Sequence, residues 1–176
     1  MKLYINDNNE ITGNLEVDYY TPVCIRFDKN DQRPRELLMY RIINTKSSLI
    51  ELSINSNTKK LVEFTFVSIN DIEISNKGIE FGIFNQIGNP DFDIKNFKNE
   101  KIVTKEVDFN TTLSNNQLTV LFTNENNITK VISMKYIDFL MNAEDELIGF
   151  RIQNFSKEQL NELNAAIQHA LNSSSD

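Results

Sequence analysis

Short apolar runs rich in Ile, Val, Phe and Tyr recur along the chain and are separated by Asn, Asp, Gly and Ser. This pattern is typical of β-strands joined by turns. The clearest pair of runs is 49–54 and 61–67, which flank an Asn-rich turn and place Ile50 and Leu52 on one face. We therefore predict an antiparallel hairpin here and a mainly β (α+β) fold built from antiparallel sheets and hairpins.

The C-terminal segment has a different period and predicts one amphipathic helix. Ser156 is suited to the N-cap position, and Gln159 follows three residues later, as in a capping box. Beyond them, apolar residues recur at helical spacing and form one stripe. The predicted stripe consists of Leu160, Leu163, Ile167, Ala170 and Leu171.

Three further segments carry specific expectations about the fold. Residues 15–19 alternate apolar and acidic positions, which predicts a strand with Tyr19 on the same face as Leu15. Residues 37–43 are nearly all apolar, which predicts a strand buried on both faces. Residues 88–100 contain Pro90 and have no clear period, which predicts an irregular connection.

The chain has 176 residues, a length that suits one domain with a core of its own. We predict a single domain over residues 1–176. The alternative, two β-rich halves (1–88 and 100–172) joined by the irregular segment 88–100, stays open at this point.

The charge of the chain restricts its partners. The formal net charge is −7, with a net of −2 over residues 1–88 and −5 over residues 89–176. Nucleic acids and anionic membranes bind cationic surfaces, so this balance disfavours both. A charged partner would be basic, although acidity also serves solubility alone.

Cysteine content and hydropathy predict a cytoplasmic protein. Cys24 is the single cysteine, so no intramolecular disulfide can form. No apolar run reaches the roughly 18–20 residues that span a membrane. The first residues become polar at once, unlike a signal peptide.

The sequence predicts no catalytic, cofactor-binding or metal-binding residues. It contains no glycine-rich phosphate loop and no nucleophile-elbow motif. His169 is the single histidine and lies off the apolar stripe of the helix, which predicts a solvated side chain. Arg26 is placed to lower the pKa of the Cys24 thiol, but His169 would have to approach from the far terminus to activate it.

Two acidic groups are the predicted partner-binding residues. Asp91 and Asp93 share one face of an extended segment, and Glu144, Asp145 and Glu146 form a turn cluster. Such carboxylates occur in cation sites, but solvated loops account for them more simply. We predict that these five residues contact a protein partner.

Residues 145–156 read Asp-Glu-Leu-Ile-Gly-Phe-Arg-Ile-Gln-Asn-Phe-Ser, a turn, a glycine-containing strand and a helix cap. Together with the 49–67 hairpin, this ending resembles small acidic bacterial immunity proteins of polymorphic toxin systems. The resemblance implies a non-enzymatic protein that occludes a toxin domain, for example a basic one, and it carries over no functional residue. A scaffold module that binds another protein through a strand edge, and a carboxylate-dependent enzyme, are the alternatives.

Overall fold

The computed structural model describes residues 1–5, 11–27, 36–76, 78, 84–98, 100–123 and 127–173. These residues form fifteen β-strands, one 3₁₀ helix and one α-helix. In chain order the elements are β1 Leu3–Ile5, β2 Asn14–Glu16, β3 Val23–Arg26, β4 Leu37–Ile43, β5 Leu49–Asn55, β6 Leu61–Ser68, β7 Glu73–Ser75, β8 Phe84–Ile87, β9 Pro90–Phe92, the 3₁₀ helix Ile94–Phe97, β10 Ile102–Glu106, β11 Asn110–Ser114, β12 Gln117–Leu121, β13 Lys130–Ser133, β14 Ile137–Met141, β15 Leu147–Ile152 and α1 Lys157–Ser173.

The strands form three sheets. A six-stranded sheet has the order β10-β4-β5-β6-β3-β2, a seven-stranded sheet has the order β7-β11-β12-β15-β14-β13-β8, and β1 pairs with β9. Most neighbours are antiparallel, which confirms the predicted mainly β class with one C-terminal helix. The two large sheets are mixed, because β10, β7 and β8 join their neighbours in parallel at sheet edges.

The predicted hairpin forms between β5 and β6. Ile50 lies opposite Phe66, and Leu52 lies opposite Phe64. The side-chain oxygen of Asn55 accepts hydrogen bonds from the backbone N–H groups of the turn, including that of Thr58 at 3.1 Å. The hairpin is predictable because both its hydrophobic period and its turn chemistry are local.

The main core lies between the two large sheets. The rings of Phe64 on β6 and Phe150 on β15 are both fully buried, with centroids 5.1 Å apart. Phe92 of β9 packs edge-on against Phe139 of β14 in the same cluster. One contiguous core thus contains residues from both sides of the 88–100 segment, and both large sheets contain strands from both sides.

Three predictions about individual segments are wrong. In β4, Tyr40 is buried but Leu37 is 38% exposed, because only one face of this strand meets the core. The 88–100 segment is not an irregular connection, since it contains β9 and the 3₁₀ helix. The strand predicted over 15–19 ends at Glu16, and Tyr19 is exposed.

The C-terminal helix begins as predicted. The backbone N–H of Ser156 donates to Oε1 of Gln159 at 2.8 Å, and the N–H of Gln159 donates to Oγ of Ser156 at 3.1 Å. Leu163 and Ile167 are buried in the main core. Nε2 of Gln159 donates to the carbonyl of Leu15 at 2.6 Å, so the start of the helix covers the edge strand β2.

Candidate functional site

The N-terminal strand lies between the two predicted acidic groups. On one side, the N–H of Asp93 donates to the carbonyl of Lys2 at 2.9 Å. On the other side, the N–H of Leu3 donates to the carbonyl of Asp145 at 3.2 Å. Two groups that are about fifty residues apart in sequence therefore meet across β1. We call this region the N-terminal acidic surface, formed by Asp91, Asp93, Glu144, Asp145 and Glu146.

Asp91 is the most sheltered of these carboxylates. It forms an ion pair of 2.6 Å with Nζ of Lys60, and both side chains are largely buried. The same ammonium donates to the carbonyl of Asn89. Lys60 therefore balances the charge of Asp91, which contributes less negative potential than the sequence alone indicates.

Asp93 has a local structural role. Its side chain accepts a hydrogen bond from the N–H of Lys95 at 3.1 Å and thereby caps the 3₁₀ helix. A short side-chain acceptor at this position satisfies a helix N–H that would otherwise lack a partner. The carboxylate is fixed in direction while it remains partly accessible.

The turn before β15 presents the other three carboxylates. Oδ1 of Asn142 accepts from the N–H groups of Glu144 and Glu146 at 3.0 and 2.8 Å, which closes the turn. Asp145 has a φ of 58° and pairs with Lys130 at 3.0 Å. Glu144 and Glu146 are exposed, and no cation within the described ranges forms an ion pair with either.

A cleft of about 310 Å³ adjoins the N-terminal acidic surface. It combines carboxylates, ammonium groups and one half-exposed aromatic ring, a mixture that suits noncovalent recognition of a polar surface. The lining residues are Tyr4, Lys59, Asp91, Phe92, Asp93, Ile94 and Lys95. Sequence reasoning found the two aspartates but missed the tyrosine and the lysines, because the pairing of β1 with β9 that assembles them is long-range.

The thiol of Cys24 lies in β3 and is buried. Burial raises its pKa, and Glu63 raises it further, whereas the opposing effect of Arg26 is smaller. Arg26 does lower this pKa, as expected, but the net shift is upward because desolvation and Glu63 outweigh the guanidinium. His169 is exposed on the helix, as predicted, and its ring lies against Tyr19.

Across the ranges given above, no group of three or more His, Cys, Asp or Glu side chains is arranged to hold a metal ion. Within those same ranges, no helix has the length and apolar character needed to cross a membrane.

Comparison with known proteins gives no family assignment. No protein-family model matches the chain, and no curated protein is significantly similar to it.

Proposed function

We propose that this chain is a non-enzymatic binding protein of the bacterial cytoplasm that neutralises a toxin domain by covering its active site. The observation that carries the proposal is the meeting of the two acidic groups on either side of β1. Glu144 and Glu146 give this surface exposed negative charge. Toxin domains that act on nucleic acids need basic clefts, and such clefts attract an acidic partner.

The charge distribution of the whole chain supports the same proposal. The net charge of −7 attracts a basic domain from many directions of approach and so favours their encounter. The described fold supplies a large buried core and a preformed turn at residues 142–146, so the exposed carboxylates are held in place before binding. Preorganisation of this kind lowers the entropic cost of association.

A growth assay tests the proposal. The C-terminal domain of the protein encoded beside this gene is expressed in bacteria, alone and together with this chain. We expect the domain to stop growth and this chain to restore it. A neighbour that is harmless, or that kills despite this chain, contradicts the proposal.

A pair of charge reversals then tests the surface. We expect Glu144→Lys combined with Glu146→Lys to weaken rescue, since both side chains are exposed on the N-terminal acidic surface. Glu73→Lys combined with Glu106→Lys is the matched control, with the same change in net charge at exposed positions on β7 and β10. Equal rescue by both double variants would exclude this surface from binding.

The scaffold alternative is favoured by one observation at the edge of the seven-stranded sheet. Strand β8 carries no charged side chain, and Ile87 at its end is 62% exposed. Uncharged edge strands are suited to pairing with a strand of another protein. Under this alternative, Ile87→Lys would abolish an assembly detectable by sedimentation and would leave growth of the toxin-expressing cells unchanged.

The carboxylate-dependent enzyme remains a third hypothesis. It needs convergent acids in a concave site. Asp91 and Asp93 do line the cleft, but one is paired with Lys60 and the other caps the 3₁₀ helix. These contacts favour structural and recognition roles for both carboxylates.

A further inference from the structure

Two consecutive tyrosines lie on a turn that follows β2. The carboxylate of Asp18 accepts hydrogen bonds from the N–H groups of Tyr20 and Thr21 at 2.6 and 3.0 Å. The N–H of Asp18 also donates to the carbonyl of Thr21 at 3.3 Å. These three bonds fix the backbone and explain why the strand predicted over 15–19 ends early. The turn therefore holds both aromatic side chains in a defined position.

The tyrosine rings and the single histidine form one aromatic cluster. The rings of Tyr19 and Tyr20 meet edge to face, with centroids 5.2 Å apart. His169 on α1 packs against Tyr19 at 4.7 Å. Tyr20 is 85% exposed, the largest value among the exposed large hydrophobic residues of the described chain. Exposed tyrosines backed by other rings supply contact area at a low cost in side-chain entropy.

Acidic residues extend this cluster along the helix. Glu158 and Glu162 precede His169 by eleven and seven residues, spacings that place all three on one face of α1. Both glutamates are exposed, and neither forms an ion pair with any residue that the structure describes. The bond from Gln159 to Leu15 holds this part of the helix beside the strand that leads to the tyrosines.

We propose that Tyr19, Tyr20, His169, Glu158 and Glu162 form an anchoring surface for a cationic protein partner. Arg or Lys side chains of the partner lie over the tyrosine rings and pair with the two carboxylates. The negative face of an aromatic ring attracts such cations, and arginine stacks on it best. Tyrosine and arginine are also the residues that most often dominate binding energy.

The charge of the surface selects the occupant. A second copy of this chain would bring the same two glutamates and a net charge of −7 to the interface. Like charges brought together at an interface oppose self-association. A basic domain meets no such opposition, so this inference rests on the proposed function and identifies where the toxin domain is held.

The anchoring surface and the N-terminal acidic surface have separable kinetic roles. Exposed charges at the rim of a contact, such as those of the N-terminal acidic surface, accelerate association, whereas aromatic contacts that become buried on binding slow dissociation. We therefore expect Tyr20→Ser to raise the dissociation rate at least about tenfold, as hot-spot truncations do. Tyr20→Phe keeps the ring, so we expect its dissociation rate to stay within about threefold of that of the parent protein.

The experiment measures binding of the purified neighbouring toxin domain to the immobilised full chain by surface plasmon resonance. Ile74→Ser is the matched control, since Ile74 is also more than half exposed and lies on β7. Thermal unfolding shows whether the Tyr20→Ser variant is folded. We expect it to be, because the Tyr20 side chain is exposed. A parallel sedimentation run on the chain alone reports self-association.

The outcomes separate this inference from the proposed function. Faster dissociation of Tyr20→Ser, with Ile74→Ser unchanged, supports the anchoring surface. Unchanged dissociation of Tyr20→Ser overturns the anchoring surface and leaves the proposed function in place. Failure of the parent chain to bind overturns both. If the parent chain forms a dimer and Tyr20→Ser is a monomer, the inference is also overturned, because the occupant is then a second copy.

Discussion

Asp138 and Arg151 lie directly opposite each other on β14 and β15, and the fully buried carboxylate accepts two hydrogen bonds from the guanidinium. The Nε and Nη2 distances are 2.8 and 2.5 Å, and Gln153 donates a third hydrogen bond to the same carboxylate. A buried charge with this many donors is satisfied, but it depends on each of them. Removal of the arginine leaves the carboxylate without its counter-charge.

We therefore expect Arg151→Met to lower the free energy of unfolding by about 3–5 kcal/mol. Urea denaturation measures the change. Arg41→Met is the control, because Arg41 pairs with Glu51 at a more exposed site. We expect this variant to lose at most about 1 kcal/mol of the free energy of unfolding. Equal losses in the two variants would show that the burial of Asp138 does not determine the cost.

Gly149 is required by space rather than by backbone conformation. A Cβ at this position would lie 2.3 Å from the carbonyl oxygen of Val120 on the neighbouring strand β12. Because backbone cannot yield as a side chain can, we expect Gly149→Ala to cost about 1–3 kcal/mol or more. Gly78→Ala is the control, since its Cβ would meet only the flexible end of Asn115. Similar denaturation midpoints for the two variants would argue against the register of β12 and β15.

Gln159 joins two features of the fold. Its side chain accepts from Ser156 in the capping box and donates to Leu15 on the edge strand. We expect Gln159→Ala to destabilise the protein by about 1–2 kcal/mol, the upper part of the range for a lost cap. Gln168→Ala on the exposed face of the helix is the control. An effect no larger than that of the control would mean that the helix start is held by other contacts.

The buried thiol of Cys24 predicts a dependence of stability on pH. Burial raises its pKa in the folded state, so the folded protein holds this proton more tightly than the unfolded chain does. The stabilisation is complete at neutral pH and is lost as the pH rises beyond the ordinary thiol pKa of about 8.5. The urea denaturation midpoint should fall more between pH 7 and pH 10 for the parent protein than for Cys24→Ala. The same fall in both would exclude the thiol as the cause.

Local signals made part of this fold predictable. The β5–β6 hairpin and the Ser156–Gln159 cap depend on residues close in sequence, and both form as expected. The strand predicted through Tyr19 does not form because the Asp18 carboxylate closes a turn. Such side-chain bonds to the backbone compete with strand formation, and the hydrophobic period gives no sign of them.

The candidate site was predictable only in pieces. The five acidic residues were recognisable from composition and turn chemistry. Their meeting depends on the pairing of β1 with β9 and on its bridge to Glu146, and both contacts span more than eighty residues. The same long-range pairing places Tyr4 and Lys59 in the cleft, where no sequence signal indicated them.

An inhibition titration tests most directly our proposal that this chain binds and occludes a toxin domain. The purified domain is assayed for its own activity while the chain is added in increasing amounts. We expect activity to fall to zero at one chain per domain, with competition by the substrate. A domain that stays fully active at a large excess of the chain would contradict the claim.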